Sequence, residues 1–335
     1  MTAMQNANYR IDAGLPKLVH IIGYPSSGTT LLRRILNAHP ELCITNEMPL
    51  LPTLAGKLPG QVNRTNFNEA KRQFLAVDVY GGLRNRELLF SDLAELFGPA
   101  EHYTAAHLYA ALIDTHPRTY YGNKTPQYSE SLPQLLAVFP HTKLILIVRD
   151  IRDIALSFKA RWGKSEALCA HKWHRRMDMA LATLDQLPSG QSLLVRYEDL
   201  VSESQKKVAE IYDFLSVQDA SQIENRTHNS RERFDVDGNR VVEFDLTRIG
   251  RWHKSLPQAT TQRVEEISYD TLKRFEYVPQ FARVAKSLPK LKRLFLEFRD
   301  LAAAFSPHNQ HKDLAKFSGR ISFILITLKR RWYGR

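Results

Sequence analysis

Two kinds of segment alternate along this chain: short apolar runs, and longer stretches with apolar residues at helical spacing. The first apolar run is Lys17–Gly23, and residues 29–39 follow it with a helical pattern after a turn that contains proline, serine and glycine. The same succession recurs at Lys143–Val148 and Ile151–Trp162. Each pair predicts a β-strand joined to an α-helix by a short loop.

Other segments extend this strand–helix pattern. The remaining runs predict strands at residues 41–45, 119–123 and 192–197, and helices at residues 129–139 and 203–215. Alternation of apolar strands with helices is typical of a parallel sheet that is covered on both faces. The predicted fold class is therefore α/β, a three-layer fold around a central parallel sheet that is P-loop-like at its first loop.

The composition fits a large globular domain, with 335 residues of which 43% are hydrophobic and 24% charged. The two cysteines, Cys43 and Cys169, have neither metal-type nor disulfide-framework spacing, which favours a reducing compartment and predicts no metal site. No run of about 18 apolar residues indicates a membrane-spanning helix. The N-terminal sequence also lacks a signal-peptide pattern, so we expect a cytoplasmic protein.

The net charge of +12 is concentrated near the C-terminus. Residues 281–335 hold 13 Lys or Arg against 3 Asp or Glu, and their apolar residues lie near helical spacing. No nucleic-acid-binding module accompanies this charge, so we expect no nucleic-acid partner. Two interpretations stay open for this basic, helical tail: it packs on the domain with a solvated face, or it contacts an anionic membrane surface or an acidic partner.

Gly23 and Gly28 enclose four residues between the first predicted strand and its helix, which is the spacing of a phosphate-binding loop. Backbone N–H groups of such a loop, and the N-terminus of the following helix, attract phosphate oxygens. A nucleoside triphosphatase would carry lysine where this chain has Thr29, and its γ-phosphate charge would here stay unneutralised. The hydroxyls of Ser27, Thr29 and Thr30 suit a dianionic phosphate instead. Taken alone, the loop also fits an ordinary turn whose glycines serve only geometry.

Four blocks, in order, resemble the PAPS-dependent sulfotransferases, in which 3′-phosphoadenosine-5′-phosphosulfate donates a sulfuryl group. Residues 23–47 are similar to the family's 5′-phosphosulfate-binding segment, and residues 143–161 to its 3′-phosphate-binding segment. Residues 194–215 and 248–256 resemble the later blocks. The bacterial and tyrosylprotein sulfotransferases are the members that this sequence resembles most. The resemblance implies PAPS as co-substrate, no metal, and transfer to a hydroxyl or an amine.

The resemblance also implies which residues hold the donor. Arg149 and Ser157, eight residues apart, combine a permanent positive charge with a hydroxyl and suit a phosphate monoester. Arg161 follows on the same helix face as Ser157. A surface ion pair of Arg149 with Asp150 or Asp153 is the alternative. The other implied donor contacts are Ser26, Ser27, Gly28, Thr29, Thr30, Tyr197, Arg248, Gly250, Arg251 and Trp252.

Two residues are implied to be catalytic. Glu47 follows the second predicted strand, at the sheet edge where ligands of open α/β folds bind, and by resemblance it is the general base for the acceptor. Lys124 follows the third predicted strand and resembles a family lysine that stabilises charge developing on the sulfuryl group. The alternatives are a glutamate that only stabilises a helix N-terminus and an exposed loop lysine.

Three positions depart from the family pattern or stay ambiguous. Many relatives carry lysine or arginine where this chain has Ser26, so either Lys124 and another cation replace that charge or the donor binds less tightly. Gly250 falls where the tyrosylprotein enzymes have a catalytic serine, which argues against assuming tyrosine as the acceptor. For Trp252, adenine stacking and core packing both stay open.

By organisation, we expect an N-terminal extension (residues 1–16), a sulfotransferase domain (17–280) with a helical acceptor-side insertion (48–118), and the basic helical tail (281–335). The acceptor is left open among carbohydrate, lipid, phenol and peptide. Two other function classes also stay open: a P-loop phosphotransferase or NTPase, and a non-catalytic nucleotide-binding relative. The expected location is the cytoplasm, peripheral at a membrane surface if the tail binds lipid.

Overall fold

A parallel β-sheet organises the computed structural model, which describes residues 14–218 and 244–304. Its strands are β1 (Lys17–Gly23), β2 (Leu42–Thr45), β3 (Tyr120–Lys124), β4 (Lys143–Val148) and β5 (Ser192–Arg196). Their order across the sheet is β2-β3-β1-β4-β5, and each pair of neighbours is parallel. The predicted α/β class with a central parallel sheet is confirmed.

Helices connect and cover these strands. In chain order they are α1 (Thr29–Asn37), α2 (Phe67–Val77), α3 (Phe90–Phe97), α4 (Ala105–Ile113), α5 (Leu132–Val138), α6 (Ile151–Trp162), α7 (Glu166–Leu184), α8 (Tyr197–Ser202), α9 (Ser204–Leu215), α10 (Trp252–Ser255), α11 (Gln258–Arg274) and α12 (Lys290–Ala304). Short 3₁₀-helices lie at Leu51–Leu54, Pro126–Glu130 and Leu246–Arg248.

Alternate residues of the central strands enter two separate hydrophobic cores. On β4, Leu144 and Leu146 join the core that α2–α7, α11 and α12 cover, whereas Ile145 and Ile147 join the core that α1, α8 and α9 cover. Burial of both faces explains why the central strands read as continuous apolar runs. The result is the predicted three-layer arrangement.

The strand order also determines where a ligand can bind. From β1 the chain first crosses to β2 and β3 on one side, and later to β4 and β5 on the other. The carboxyl ends of β1 and β4 therefore lie at the point where the winding direction reverses, which is where open α/β sheets form their ligand crevice. Both the glycine loop and Arg149 follow these two strands directly.

Most predicted elements are present, with differences at their ends. β1, β4 and α6 have the predicted bounds. The helix predicted at residues 129–139 is divided at Ser131, where a 3₁₀-helix ends and α5 begins with Pro133 in its first turn. β5 ends one residue early because Tyr197 already starts α8. The pattern analysis missed the long helices α7 and α11.

The two regions outside the strand–helix pattern are helical where the structure describes them. Residues 48–118 contain α2, α3 and α4, and their apolar side chains lie in the same core as one face of the sheet. α12 lies in the predicted tail, whose residues 305–335 are outside the described part, as are residues 1–13. None of the helices in residues 14–218 and 244–304 has the length and hydrophobicity needed to cross a bilayer.

His20, on β1, is the most deeply buried titratable group of the sheet. Its ring packs among Tyr109, Tyr128 and Phe139, and its Nδ1 lies 2.8 Å from the hydroxyl of Thr142. Burial lowers the pKa of His20 to about 3, because the charged imidazolium would lose its hydration there. The folded protein therefore holds this ring neutral.

We expect His20 to weaken the fold as the pH falls from 7 to 5. Unfolded histidine protonates near about 6.5, so the unfolded chain binds more protons in this window, and one such group costs about 2 kcal/mol of unfolding free energy. Urea unfolding at both pH values should show His20→Gln losing about 2 kcal/mol less than the wild type. His102→Gln, at an exposed histidine, is the control and should lose as much as the wild type. Equal losses in all three proteins would contradict this assignment.

Candidate active site

The loop after β1 has the conformation of an anion-binding turn. Ser26 and Gly28 both have positive φ angles, 72° and 95°, and left-handed residues in such a turn arrange successive N–H groups around a concavity. The first turn of α1 contains no acidic residue, and its N-cap residue, Gly28, has no side chain to cap it. Its N-terminal N–H groups are therefore available to a ligand oxygen.

Two constraints favour glycine at position 28: its positive φ angle and the close approach of a neighbouring side chain. A Cβ atom on Gly28 would lie 2.4 Å from Cδ2 of Tyr197, at the start of α8. Tyr197 is buried, with 4% of its surface exposed. Its ring therefore forms a wall behind the loop, and the second glycine of the motif permits that close approach.

Arg149, at the end of β4, joins three parts of the site. Its Nη1 donates to the carbonyl oxygen of Ser26 (3.2 Å) and its Nη2 donates to the carbonyl oxygen of Arg248 (2.7 Å). Its guanidinium lies over the Tyr197 ring, 4.5 Å from the ring centroid. One buried cation thus connects the glycine loop, the start of α8 and the segment before α10.

Among residues 14–218 and 244–304, carboxylates match the charge of Arg149 incompletely. Its side chain is 7% exposed, and the carboxylate of Asp153 lies 3.9 Å away. That carboxylate already accepts the backbone N–H groups of Gly250 (2.8 Å) and Trp252 (3.0 Å). Burial raises the pKa of Asp153, although the charge of Arg149 opposes the increase. The alternative of a surface ion pair does not describe this buried arginine.

Three buried polar atoms in this region have no hydrogen-bond partner among the described residues. They are Oγ of Ser26, Oγ of Ser27 and Nε of Arg149. An unsatisfied buried donor costs about 1–3 kcal/mol. Two hydroxyls and a guanidinium N–H at a phosphate-type loop match the oxygen-rich surface of a phosphate or sulfate group. The residues present therefore fit an anionic ligand.

The remaining predicted donor residues of α1 and α6 differ in their surroundings. Thr29 is buried and Thr30 is exposed at the start of α1. The hydroxyl of Ser157 donates to the carbonyl oxygen of Asp153, one turn earlier (2.9 Å). Arg161 is exposed and lies over the Trp162 ring, with 5.3 Å between its guanidinium carbon and the ring centroid.

The segment before α10 contributes mainly backbone groups. Arg248 offers its carbonyl oxygen to Arg149, while its exposed side chain pairs with Asp245 (2.8 Å). Arg251 is exposed. Trp252 is 3% exposed, and its ring lies 3.9 Å from the guanidinium carbon of Arg152. This position agrees with core packing, one of the two interpretations of Trp252.

Glu47 and Lys124 form a pair at the ends of β2 and β3. Nζ of Lys124 donates to Oε1 of Glu47 at 2.6 Å, and the side chains are 6% and 32% exposed, respectively. Lys124 is thus not the exposed loop lysine of the alternative interpretation. The carboxylate of Glu47 can accept a proton, and the ammonium of Lys124 is a buried cation. The two groups therefore lie together at the sheet edge from which the glycine loop after β1 also starts.

A buried hydrogen-bond network, which the sequence analysis missed, holds the backbone next to Glu47. The hydroxyl of Thr125 accepts from the N–H of Met48 (2.9 Å) and donates to Oδ1 of Asn123 (2.9 Å). The hydroxyl of Tyr128 donates to the carbonyl oxygen of Met48 (2.7 Å). Both the backbone N–H and the backbone C=O of Met48 are therefore held by side-chain hydroxyls. The only signal in the sequence was the position of these residues around Lys124.

A second missed element is a loop organised by Asp78. Its carboxylate accepts the N–H groups of Gly82 (2.6 Å) and Leu83 (3.1 Å) and pairs with Arg86 (2.7 Å). A Cβ atom on Gly82 would lie 3.4 Å from the carbonyl oxygen of Asn46. Residues 78–86 therefore lie directly beside the strand end that carries the catalytic candidate Glu47.

Comparison with known proteins decides the family. The model of the sulfotransferase family matches residues 16–221. The chain belongs to the sulfotransferase family. Among the described residues, no group of three or more His, Cys, Asp or Glu side chains is arranged to hold a metal ion.

Individual relatives of this sulfotransferase-family chain are distant in sequence. A Caenorhabditis briggsae protein named as a protein-tyrosine sulfotransferase is 26% identical over 80% of this chain and 88% of its own length. Protein-tyrosine sulfotransferase 1 of Danio rerio is 28% identical over 60% of this chain, which spans about half (53%) of the fish protein. Nodulation protein NoeE of Sinorhizobium fredii is 31% identical over 44% of this chain and 32% of its own length.

Solved structures confirm the fold of this sulfotransferase-family member. The sulfotransferase domain from the curacin biosynthetic pathway superimposes with a TM-score of 0.52 and 20% identity, over 79% of this chain and 99% of that domain. The sulfotransferase domain of the Synechococcus PCC 7002 olefin synthase gives 0.50 and 24%, over 77% and 97%. This similarity confirms the predicted P-loop-like α/β fold.

We expect Gly28→Ala to destabilise the protein by about 3 kcal/mol, against about 1 kcal/mol for Gly163→Ala. Both glycines have positive φ, but a Cβ on Gly163 meets nothing within 4 Å whereas one on Gly28 collides with Tyr197. Chemical denaturation measures both values. Tyr197→Leu should cost less in the Gly28→Ala background than in the wild type, and equal costs would show that the collision is not the cause.

Proposed function

We propose that this chain is a PAPS-dependent sulfotransferase that transfers a sulfuryl group from PAPS to a hydroxyl or an amine. One observation carries the donor assignment. Within the part of the chain that the structure describes, the buried guanidinium of Arg149 lies against the glycine loop with its charge incompletely matched, and the nearby hydroxyls of Ser26 and Ser27 have no hydrogen-bond partner. Membership of the sulfotransferase family supports the reaction class.

The donor carries two anionic groups, and the site offers two sets of residues for them. We assign the 5′-phosphosulfate to the N–H groups of the loop and of α1, with the hydroxyls of Ser26, Ser27, Thr29 and Thr30. We assign the 3′-phosphate to Arg149 and Ser157, with Arg248, Arg251 and Arg161 as exposed cations that reach it from outside. The hydrogen bond from Arg149 to the carbonyl oxygen of Ser26 supports a shared crevice for both groups.

Many relatives carry a basic residue in the loop where this chain has Ser26. Arg149 and Lys124 must therefore neutralise more of the donor's negative charge. Both side chains are at least nine-tenths buried, and a cation in a low-dielectric site attracts an anion more strongly than an exposed one. Thr29 in place of the lysine of ATPase loops argues against the phosphotransferase or NTPase alternative. The Glu47–Lys124 pair argues against a non-catalytic relative.

In the proposed reaction, the acceptor oxygen or nitrogen forms a bond to sulfur while the bond from sulfur to the 5′-phosphate oxygen breaks. Glu47 removes the acceptor's proton as that bond forms. Lys124 stabilises the negative charge that develops on the departing phosphate oxygen and the sulfuryl group. Because Lys124 and Glu47 contact each other at 2.6 Å, binding of the substrates exchanges this ion pair for contacts to both reactants.

For the acceptor, we propose a tyrosine of a peptide as the first class to test, because several relatives are named protein-tyrosine sulfotransferases. Carbohydrate, lipid and small phenol acceptors are the other classes. In the loop of residues 78–86, Gly82 lies against the carbonyl oxygen of Asn46, next to Glu47, so we assign this loop to the acceptor side of the site. Gly250 falls where the tyrosylprotein enzymes have a catalytic serine, which is the feature of this chain that argues against tyrosine.

We expect 3′,5′-ADP, the nucleotide product, to raise the melting temperature, and ATP with Mg²⁺ to leave it nearly unchanged. At about 100 times its Kd a ligand adds about 2.7 kcal/mol of stability, which is a shift of several degrees in a thermal unfolding scan. 5′-AMP, without the 3′-phosphate, is the matched control and should stabilise less. Stabilisation by ATP–Mg²⁺ alone would overturn the assignment in favour of an NTPase.

We expect Glu47→Gln and Arg149→Ala to separate chemistry from donor binding. Removal of the base should lower kcat about 10²–10⁴-fold with the Kd of 3′,5′-ADP nearly unchanged, whereas Arg149→Ala should raise that Kd about 10–100-fold. Calorimetry measures the Kd, and radiolabelled PAPS with a tyrosine peptide, or with the acceptor that a screen returns, measures turnover. Glu210→Gln, on the exposed face of α9, should change neither quantity. If both site variants behave alike, this division of roles is wrong.

A further inference from the structure

α12 presents two opposite faces with different surroundings. One face is anchored on the domain: Leu296 is buried, and the carboxylate of Asp300 accepts the backbone N–H of Ser165, at the N-cap of α7, with both oxygens (3.0 and 3.2 Å). A buried carboxylate at a helix N-terminus is stabilised by the N–H groups and the dipole of that helix. The orientation of α12 on the domain is therefore determined.

The opposite face of α12 is apolar and exposed. Five large side chains recur there at intervals of three and four residues, which places them in one stripe along the helix. Their exposed fractions range from 40% to 83%, and the residues are Leu291, Leu294, Phe295, Phe298 and Leu301. Soluble proteins rarely expose a contiguous apolar patch of this kind without an interaction partner. We call this stripe the α12 apolar face.

Basic residues lie along both edges of the α12 apolar face. At 100° per residue, Lys290 projects beside Leu301 and Leu294 on one edge, while Lys292 and Arg299 project beside Phe295 on the other. All three basic residues are exposed. Long basic side chains at such a boundary can lie along apolar surface while their charged ends reach water or an anion.

Charge decides between the surfaces that can cover this face. Residues 305–335 of the chain hold 7 Lys or Arg against 1 Asp, so covering the face with this segment would bring like charges together. A second copy of the chain would likewise oppose one set of basic edges to another. An anionic surface complements both the edges and the segment that follows. A bilayer is also flat, and a convex helix face can insert into it without a matching groove.

We propose that the α12 apolar face docks onto an anionic lipid bilayer as an interfacial helix. Phe295 and Phe298 enter the boundary between headgroups and acyl chains, and the basic edges contact the anionic headgroups. This proposal is independent of the proposed sulfotransferase reaction, because it concerns where the protein binds rather than what it transfers.

Vesicle co-sedimentation with the full chain tests this proposal. We expect binding to vesicles of phosphatidylcholine with phosphatidylserine, weaker binding to vesicles of phosphatidylcholine alone, and a decrease as salt is raised. The double variant Phe295→Ser/Phe298→Ser should lower the partition coefficient at least about tenfold. Lys290→Gln and Lys292→Gln should each lower it about fivefold. Leu89→Ser/Val278→Ser, at exposed apolar residues outside α12, is the matched control and should bind as the wild type does.

The substituted side chains are exposed, so thermal unfolding of every variant should match that of the wild type. Vesicle binding that the α12 variants leave unchanged would overturn the proposal and assign any binding to another part of the chain. Absence of vesicle binding, together with a concentration-dependent dimer that Phe295→Ser/Phe298→Ser dissociates, would overturn it in favour of a second copy. Binding to an acidic protein without any binding to vesicles would overturn it in favour of a protein partner.

Discussion

The structure of this site depends on a buried arginine whose hydrogen bonds, among the described residues, go to carbonyl oxygens rather than to a matched carboxylate. Arg149 connects the loop after β1 with the segment before α10 through the carbonyls of Ser26 and Arg248, and it rests on the ring of Tyr197. Carbonyl oxygens orient a guanidinium but do not neutralise it. A buried charge is costly unless it is compensated. An anion that binds beside Arg149 would therefore be stabilised by this charge.

A second layer of charge keeps that arrangement in place. Asp153 holds the N–H groups of Gly250 and Trp252, while Arg152 pairs with Asp150 (2.8 Å) and with the fully buried Glu265 (2.7 Å). Glu265 in turn accepts three successive N–H groups, from Gln280 to Ala282. The segments on both sides of α11 are therefore clamped to α6. Removing one member would leave its partner charged and buried, which is far more costly than losing an exposed pair.

The residues of the site form two groups, each at the ends of two neighbouring strands of the sheet. The ends of β1 and β4 carry the loop and Arg149, while the ends of β2 and β3 carry Glu47 and Lys124. The network around Met48 holds the second group as firmly as Arg149 holds the first. The residues proposed for donor binding and those proposed for catalysis are therefore held by separate contacts along one edge of the sheet. α12 adds a surface of different character, apolar between basic edges, that no part of the proposed reaction uses.

The sequence by itself determined what depends on local periodicity and on single residue types. β1, β4 and α6 were located to their end residues, and Thr29 in place of lysine argued against an ATPase, because both signals lie within a few adjacent positions. Only the tertiary structure joined Glu47 to Lys124 and Gly28 to Tyr197, since these partners lie far apart in the chain and meet through strand pairing. It also showed that Arg149 is buried and Arg161 exposed. Asp78 and Asp153 accept backbone N–H groups of residues that the sequence did not connect to them. Burial and partner choice are properties of packing between distant segments, and no local pattern encodes them.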